Sequence, residues 1–453
     1  MAGRAQSFAT TSTFEVLGPI MVGPSSSHTA GALRCAQVAA SLVEGRVARV
    51  TFTLWNSFAH TYHGHGTDRA LVAGVLGLAT DDERIKDAFE LAKDSGLEFN
   101  FKIGGDDVTM HPNTVDITME NENGFTAQVR GESLGGGKVR VSRINGVGVK
   151  ITGRYATLFV AHRDVPGALA ALTNELANAQ VNIATCRNYR TEQGGQAYTV
   201  FETDGNPDES VLPSIRALEN IDYATFISLG GDTAVAPGVT VEEIFDDGKQ
   251  LLEACSNLGL SIGGVMHMRE EMLVGKERAE ESMRRVLAVM RDETTAPIKK
   301  PMKSLGGFIG GEASGIAKAS TTWAPSLMGE VQTDAVARAM AVLERSAAMG
   351  VIVAAPTAGS SGVVPGSVLA LAEHLEKSDE EIMEALYCAA AVGVIIQAGA
   401  CVAGAEGGCQ AEVGSAAAMA AAACVQLLGG TPEQALTASS LTIANLLGLV
   451  CDP

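Results

Sequence analysis

The sequence predicts a multidomain protein in three parts: an α+β N-terminal domain over 14–151, a smaller α+β module over 154–229 and an all-α C-terminal domain over 240–453. Two observations predict this division. Strand-like stretches recur through the first two parts, whereas the apolar residues of the third part follow helical spacing. A stretch that contains several Gly and Pro residues, at 230–239, separates the module from the helical domain.

Composition limits the classes of function. The chain has 453 residues, of which 46% are hydrophobic and 19% are charged, which is typical of a globular protein. Its net charge of −19 argues against nucleic acid or an anionic membrane surface as a partner. The eight cysteines form no CxxC pair and the N-terminus lacks an apolar signal segment, so we expect a cytoplasmic protein without disulfides.

One window, from Ala385 to Ala405, carries no charge and is long enough to span a bilayer. Ala and Gly dominate this window and Gln397 lies in its middle, which is a weak pattern for a helix that faces lipid. A helix that is apolar on all sides also occurs in the core of a large domain. We therefore expect a buried helix and no membrane.

The N-terminal domain opens with a hydroxyl-rich loop, GPSSSHT, before an apolar helical run. Ser25, Ser26 and Ser27 are candidate helix N-caps, with His28 and Thr29 in the first turn. The N-terminus of a helix binds anions such as a carboxylate or a phosphate. The loop is therefore either a substrate site or an ordinary cap made by one serine.

A second polar stretch, AHTYHGHGTD, follows a strand predicted over Val47–Trp55. His65 is flanked by glycines, and imidazole titrates near neutral pH, so His65 is the leading candidate for proton transfer. The HxH spacing would also suit a metal, and a polar surface turn is the third interpretation. Asp68 either orients His65 or caps the next helix. Further strands are predicted at Val108–Met110, Thr114–Met119, Phe125–Val129 and Lys138–Ile144.

In the module, a strand at Tyr155–Ala161 is followed by the turn RDVPG, a helix, a hairpin, a second helix and a last strand. The order βαββαβ is typical of ferredoxin-like folds. The helical domain contains a second hydroxyl-rich loop, APTAGSSGVVPG, ahead of a helix predicted from Ser367. Its hydroxyls and backbone N–H groups make it either a second anion site or a capped helix start.

Two cysteines near the end of the sequence, Cys409 and Cys451, lie in the stretches GAEGGCQAEVG and NLLGLVCDP. Thiolates beside small residues suit a soft metal or an Fe–S cluster. The spacing of the two cysteines makes no metal motif by itself. Burial of Cys side chains in Ala-rich helices is the alternative.

The chain resembles the iron-sulfur-dependent L-serine dehydratases (L-serine ammonia-lyases) in five stretches: GPSSSHT, HGHGTD, SNLGLSIGGVMHMREE, APTAGSSGVVPG and the two cysteine stretches taken together. The resemblance implies β-type and α-type regions fused in one chain. The stretches RDVPGAL and VNIATCRNYRT resemble an ACT domain, a small module that senses amino acids. The alternative for this module is a dimerisation sheet without a ligand.

The resemblance implies conversion of L-serine to pyruvate and ammonia, with a 4Fe-4S cluster that acts as a Lewis acid on the serine hydroxyl. Cys409 and Cys451 would be two of three cysteine ligands. We also expect a homo-oligomer and an amino-acid effector at the ACT domain. The candidate residues are His65, Ser27, His28 and Thr29 for catalysis, Ser25, Thr67, Asp68, Thr357, Gly359 and Ser360 for substrate binding, and Asp164, Pro166 and Gly167 for the ACT ligand loop.

In that family the third cysteine ligand follows the CDP motif, beyond the last printed residue, Pro453. We therefore expect the printed chain alone to carry an incomplete cluster site and to have little dehydratase activity. The explanations left open are a longer natural chain, a separate polypeptide that completes the site, and a non-catalytic regulator that binds an amino acid.

Overall fold

The computed structural model describes residues 11–152, 156–203, 207–208, 210–227, 244–320, 328–402 and 404–448. The predicted linker at 230–239 and the predicted ligand Cys451 lie outside these ranges. The chain forms two compact units. The sheet unit comprises Ser27–Ala79 and Arg84–Gly238, and the helical unit comprises Met1–Ser26, Thr80–Glu83 and Val239–Pro453.

The strands of the described residues are concentrated in the sheet unit. They are β1 Ile20–Val22, β2 Val47–Asn56, β3 Glu98–Gly105, β4 Asn113–Asn121, β5 Thr126–Gly135, β6 Lys138–Ile144, β7 Val147–Ile151, β8 Ala156–Arg163, β9 Ile183–Arg190, β10 Gln196–Thr203, β11 Ile221–Ile227 and β12 Val351–Val353.

The longest α-helices all belong to the helical unit. The helices are α1 Ala32–Ser41, α2 Ser57–Thr61, α3 Thr67–Val75, α4 Ala88–Ser95, α5 Ala168–Asn178, α6 Val211–Arg216, α7 Gly248–Leu258, α8 Ile262–Val274, α9 Lys276–Lys299, α10 Glu312–Ser320, α11 Glu330–Ala347, α12 Val363–His374, α13 Asp379–Gly399, α14 Gly404–Leu427 and α15 Pro432–Leu446. A mixed α/β chain with a sheet-rich N-terminal region and a helical C-terminal region is thereby confirmed.

The first sheet of the sheet unit has six strands in the order β3-β2-β4-β5-β6-β7. β2 pairs with β3 in parallel, and the other neighbours are antiparallel. Helices α1 and α3 pack closely because Gly74 has no side chain to meet the carbonyl of Leu33. Gly131 likewise lets α1 approach β5, since an added Cβ would lie 2.8 Å from Cys35 Cβ. These close contacts pack α1 against α3 and against β5.

One predicted strand of this region is wrong, and one observed strand was not predicted. Val108–Met110 forms a turn, because the Asp107 carboxylate accepts hydrogen bonds from the Thr109 backbone N–H at 2.9 Å and hydroxyl at 2.6 Å. The strand before this turn, β3, was not predicted. It is stabilised in part by the Phe101 ring, which stacks on Phe52 of β2 with centroids 5.1 Å apart.

The second sheet of the sheet unit is antiparallel, with the strand order β11-β8-β10-β9. Its elements follow one another as β8-α5-β9-β10-α6-β11, and the two helices cover one face over a core that includes Leu158, Leu172 and Phe201. The face of the sheet opposite these two helices also contacts the rest of the sheet unit. Tyr223 donates its hydroxyl to the Ser41 carbonyl at 2.9 Å, at the end of α1. The central strands β8 and β10 are therefore buried on both faces, whereas every second residue of the edge strand β9 is exposed.

Residues 12–16 fold into the helical unit, far along the chain from its helices. The Glu270 carboxylate is fully buried and accepts hydrogen bonds from the Ser12 hydroxyl at 2.5 Å and from the Thr13 backbone N–H at 2.7 Å. Burial raises the pKa of Glu270, and the donors from Ser12 and Thr13 partly oppose this shift. Replacement of Glu270 would leave two buried donors without an acceptor.

The helix α13 has the length and apolar composition of a membrane span, and 61% of its most apolar 18-residue window is buried inside the protein. Ala385, Leu386 and Ala389 to Ala391 are among the buried residues of the core of the helical unit. Gly393 lets this helix approach Val16 closely. The apolar composition of α13 is thus accounted for by packing in the core.

Candidate functional site

Two histidines of the sheet unit lie against each other. His28 belongs to a π-helical turn, Ser26–Gly31, which leads directly into α1. His65 lies just before α3, and its ring centroid is 4.5 Å from that of His28, with the planes tilted by 51°. The edge of the Phe58 ring packs on His28 at 5.2 Å. The histidine pair is therefore formed by the starts of two helices that pack together.

Hydrogen bonds from three elements hold the pair. His28 Nε2 lies 3.0 Å from the Ser57 hydroxyl, and the Thr29 hydroxyl donates to the His65 carbonyl at 3.2 Å. Ser57 begins α2, and its position depends on Asn56, whose φ of 49° lies in the left-handed region. The Asn56 side chain compensates for this conformation by accepting from the Asp107 backbone N–H at 2.7 Å.

Burial lowers the pKa of both imidazoles. The exposed fraction of His28 is 7%, and burial, followed by the neighbouring His65, lowers the pKa of His28 to about 3. Burial also lowers the pKa of His65. His65 Nδ1 and the Thr67 hydroxyl are buried without a hydrogen-bond partner among the described residues. Buried polar atoms of this kind are uncommon, so a neutral imidazole with an unpartnered nitrogen marks this pair as a candidate site.

The lowered pKa of His28 predicts how stability depends on pH. Between pH 6.5 and about 3 the unfolded chain binds a proton at this residue and the folded chain does not, so the free energy of unfolding falls as pH falls. The limiting slope from one such group is about 1.4 kcal/mol per pH unit. Urea unfolding of His28→Gln between pH 7 and pH 5 should show a shallower loss of stability than the unchanged protein. The exposed His60, replaced by Gln, is the control, and equal slopes in all three proteins would contradict the prediction.

Asp68 and the remaining histidines of the stretch have other partners. The Asp68 carboxylate lies 2.8 Å from His63 Nδ1 and also accepts from the Arg69 backbone N–H at 2.8 Å. It is therefore paired with His63, and the residue that precedes α3 is Gly66, with a φ of 66° and no side-chain cap. His60 pairs with Asp106 at the surface. Within the described ranges, no three His, Cys, Asp or Glu side chains converge as a metal site would require.

The serine loop does not cap α1 as we had expected. The residue before α1 is Gly31, and no side chain caps the helix. A cap is not needed there, because the π-helical turn Ser26–Gly31 continues directly into α1. Ser27 lies in this turn with His28 and Thr29. In the helical unit, the Ser26 hydroxyl instead accepts a hydrogen bond from the Ala358 backbone N–H at 2.8 Å. Ser25 lies directly before Ser26 in the sequence.

The second hydroxyl-rich loop connects β12 to α12 in the helical unit. The Thr357 and Ser360 hydroxyl oxygens are 3.2 Å apart, and Ser360 donates to the Ala355 carbonyl at 3.1 Å. Thr357 also hydrogen-bonds to the carboxylate of Glu412, on α14. Gly359 lies against the same carboxylate. Thr357 and Gly359 therefore share a neighbour, Glu412, that the sequence had not indicated.

Cys409 follows a break in α14. Gly408 has a φ of 72° and a ψ of −178°, so Cys409 begins a new stretch of helix. A cysteine at the N-terminal end of a helix has its thiolate form stabilised by the helix dipole, which suits a cluster ligand. The backbone at Cys409 thus fits this donor chemistry, although the side chain of Cys409 and all of Cys451 lie outside the described part of the chain. By contrast, burial raises the pKa of Cys424 to about 11.

The predicted ligand loop of the small module contains an internal ion pair. The Asp164 carboxylate lies 2.9 Å from the Arg190 guanidinium and accepts from the Gly194 backbone N–H at 3.3 Å. These contacts lower the pKa of Asp164. Gly167 precedes α5 with a φ of 92°, a conformation that favours glycine, and Pro166 lies beside it in the turn.

Family models match both parts of the chain. The model described as serine dehydratase alpha chain matches residues 119–453, and the one described as serine dehydratase beta chain matches residues 12–143. The first match covers well over half of the sequence. The chain belongs to the serine dehydratase family.

Curated relatives of this serine dehydratase family chain include separate and fused forms. The L-serine dehydratase beta chain of Peptoniphilus asaccharolyticus is 40% identical over 218 residues, 48% of this chain and 98% of that protein. A probable L-serine dehydratase alpha chain of Bacillus subtilis is 42% identical over 216 residues, 46% of this chain and 70% of that protein. The L-serine dehydratase of Streptomyces coelicolor is 28% identical over 448 residues, 96% of this chain and 82% of that protein.

Two residues of the site were missed by sequence analysis of this serine dehydratase family member. Ser57 is separated from His28 by 29 positions, and no local motif connects them. Glu412 was visible as an acidic residue three positions after Cys409, but nothing in the sequence indicated that it contacts the Thr357 loop. Both contacts arise from tertiary packing alone.

Proposed function

We propose that this protein converts L-serine to pyruvate and ammonia by eliminating water, with the help of a 4Fe-4S cluster. The observation that carries the proposal is the packed pair of the buried His28 and the half-buried His65, whose Nδ1 atom is buried without a hydrogen-bond partner among the described residues and whose pKa is lowered by burial. This arrangement provides a base in a chain whose family relatives are named L-serine dehydratases.

The chemistry requires removal of the serine Cα proton and loss of the β-hydroxyl as water. When bound, the cluster would supply a Lewis acid for that hydroxyl. His65 would accept the Cα proton, because a lowered pKa favours the neutral imidazole near neutral pH, and a neutral imidazole can take a proton without first losing one. The electron pair of the C–H bond then forms the Cα–Cβ double bond of aminoacrylate. This product takes up a proton at Cβ and is hydrolysed to pyruvate and ammonia.

Hydroxyl groups of the two loops would hold the substrate. In the sheet unit, Ser27, Thr29 and Thr67 lie within the stretches that carry His28 and His65, and the Thr67 hydroxyl has no partner among the described residues. In the helical unit, Thr357 and Ser360 form a hydroxyl pair, with Gly359 between them. We propose Ser25, Thr67, Asp68, Thr357, Gly359 and Ser360 as substrate-binding residues, each assigned within its own unit. We assign the cluster to Cys409 and Cys451.

We further propose that the module of β8 to β11 is an ACT-type domain that responds to an amino acid. The order of its elements and the left-handed Gly167 in the turn before α5 support this assignment. The ion pair of Asp164 with Arg190 would have to open, or to rearrange, when a charged amino acid binds at that turn. A non-catalytic regulator would keep this module and would bind an amino acid without converting it.

Proton nuclear magnetic resonance in deuterium oxide tests the elimination. Anaerobically prepared protein should convert L-serine to pyruvate and ammonium in equal amounts, and the pyruvate methyl group should carry one deuterium taken up from solvent. D-serine is the control substrate and should react far more slowly, because its Cα hydrogen points away from the base when its carboxylate and amine are held. Pyruvate without solvent deuterium, or equal turnover of the two enantiomers, would contradict the proposed mechanism.

A further inference from the structure

We propose that Glu412 is a positioning residue whose carboxylate holds the hydroxyl loop at 357–362 against the backbone at Gly404, just before Cys409. The proposal rests on the proposed function, since it joins the residues assigned to the substrate to the chain segment assigned to the cluster. It is carried by contacts within the helical unit alone.

The carboxylate of Glu412 makes two hydrogen bonds to different segments. It is bonded to the Thr357 side chain in the loop between β12 and α12, and it accepts from the Gly404 backbone N–H at the start of α14. Burial raises the pKa of Glu412, and these two hydrogen bonds act in the opposite direction. A carboxyl group that is removed from water and bonded on both sides is a fixed link between the segments that it contacts.

Two glycines make room for this link. A Cβ added at Gly404 would lie 2.7 Å from Glu412 Oε2, and a Cβ added at Gly359 would lie 2.9 Å from the same oxygen. Neither glycine has the positive φ that would require glycine for conformational reasons. A side chain at either position would therefore meet the carboxylate of Glu412 and displace it.

The link has a direct consequence for the hydroxyl pair. Thr357 is held by Glu412 on one side and lies 3.2 Å from Ser360 on the other, while Ser360 donates to Ala355. Without the carboxylate, the Thr357 hydroxyl would lose the partner that joins it to α14. A reacting group displaced by about 1 Å can lose about 10²-fold in rate.

Hydrogen exchange in the metal-free protein tests the link without any turnover. Glu412→Ala should speed amide exchange at least tenfold in peptides that cover 357–362 and 404–408, and Glu412→Gln should restore much of the protection because an amide can still bond to Thr357. Glu433→Ala, an exposed acid in the first turn of α15, is the matched control and should leave both peptides unchanged. Unchanged exchange in Glu412→Ala would overturn the proposal.

Kinetics of the iron-loaded protein test its role in the reaction. Glu412→Ala should lower kcat/KM for L-serine by about 10- to 100-fold with most of its iron retained, and Glu412→Gln should recover most of that loss. Loss of iron with unchanged exchange in the metal-free protein would overturn the proposal, because Glu412 would then act on the cluster and not on the loop. If the unchanged protein forms no pyruvate, the proposed function fails and the exchange result still decides whether the link exists.

A double variant tests whether Gly404 is needed to make room for the Glu412 carboxylate. Gly404→Ala alone should disturb exchange in the 357–362 peptide, because its new methyl group displaces the Glu412 carboxylate. In the Glu412→Ala background the same substitution should have little further effect, since the displaced group is absent. Equal effects of Gly404→Ala in the two backgrounds would overturn the assignment of Gly404 to this contact.

Discussion

Replacing His65 by Ala should lower kcat for pyruvate formation by about 10²- to 10⁴-fold, the usual contribution of a positioned base. The physical reason is that the Nδ1 atom of His65 has no hydrogen-bond partner within the described part of the chain, and burial holds the pKa of this imidazole below its ordinary value. The iron content should not change, because imidazole is not among the proposed ligands. Steady-state rates with L-serine and iron determination on the same samples check both statements.

His60→Ala is the matched control for this experiment. His60 comes from the same histidine-rich stretch, but it lies at the surface and pairs with Asp106, so its replacement should leave kcat within about twofold of the original value. A His65→Ala protein that keeps its iron and a near-normal rate would show that another group removes the proton. Loss of iron together with activity would place His65 among the ligands.

Replacing Cys409 by Ala should remove both the iron and the activity. A 4Fe-4S cluster is held by thiolates, and Cys409 occupies the start of a helix immediately after the break at Gly408, where a thiolate is stabilised. Protein expressed anaerobically from the complete gene should show the visible absorbance of a cluster, and the Cys409→Ala variant should lack it. The measurement compares the iron content and the visible absorbance of the two proteins.

Cys424→Ala is the control for the cluster assignment. Cys424 lies further along the same helix, and burial raises the pKa of its thiol to about 11, so it is protonated at neutral pH and unsuited to bind iron. This variant should keep its cluster and its turnover. A Cys409→Ala protein with normal iron and normal turnover would contradict the assignment of Cys409 as a ligand.

Periodicity in the sequence was a good guide to single elements of the fold and a poor guide to contacts between them. The strand over Lys138–Ile144 has the predicted bounds, because its alternating side chains are buried and exposed in turn. β3 was missed although its residues alternate, since it is recognisable only through the stacking of Phe101 on Phe52. The wrong strand at Val108–Met110 arose because the local hydrogen bonds of Asp107 outweigh β propensity.

The candidate site shows the same limit. Residue type and flanking glycines indicated His65, and a hydroxyl-rich stretch indicated Thr357 and Ser360. Ser57, which contacts His28, and Glu412, which contacts Thr357, lie far from these residues in the sequence, and their contacts depend on tertiary packing. Asp68 illustrates the reverse case, since it lies three positions from His65 in the sequence but bonds to His63.

The most direct test of the central claim is the amount of pyruvate formed from L-serine per iron-loaded chain. We expect protein prepared anaerobically from the complete gene to form many pyruvate molecules per chain, at a rate that rises in proportion to its iron content. Protein with a full complement of iron that binds L-serine but releases no pyruvate would contradict the account, and would identify the chain as an amino-acid-binding regulator.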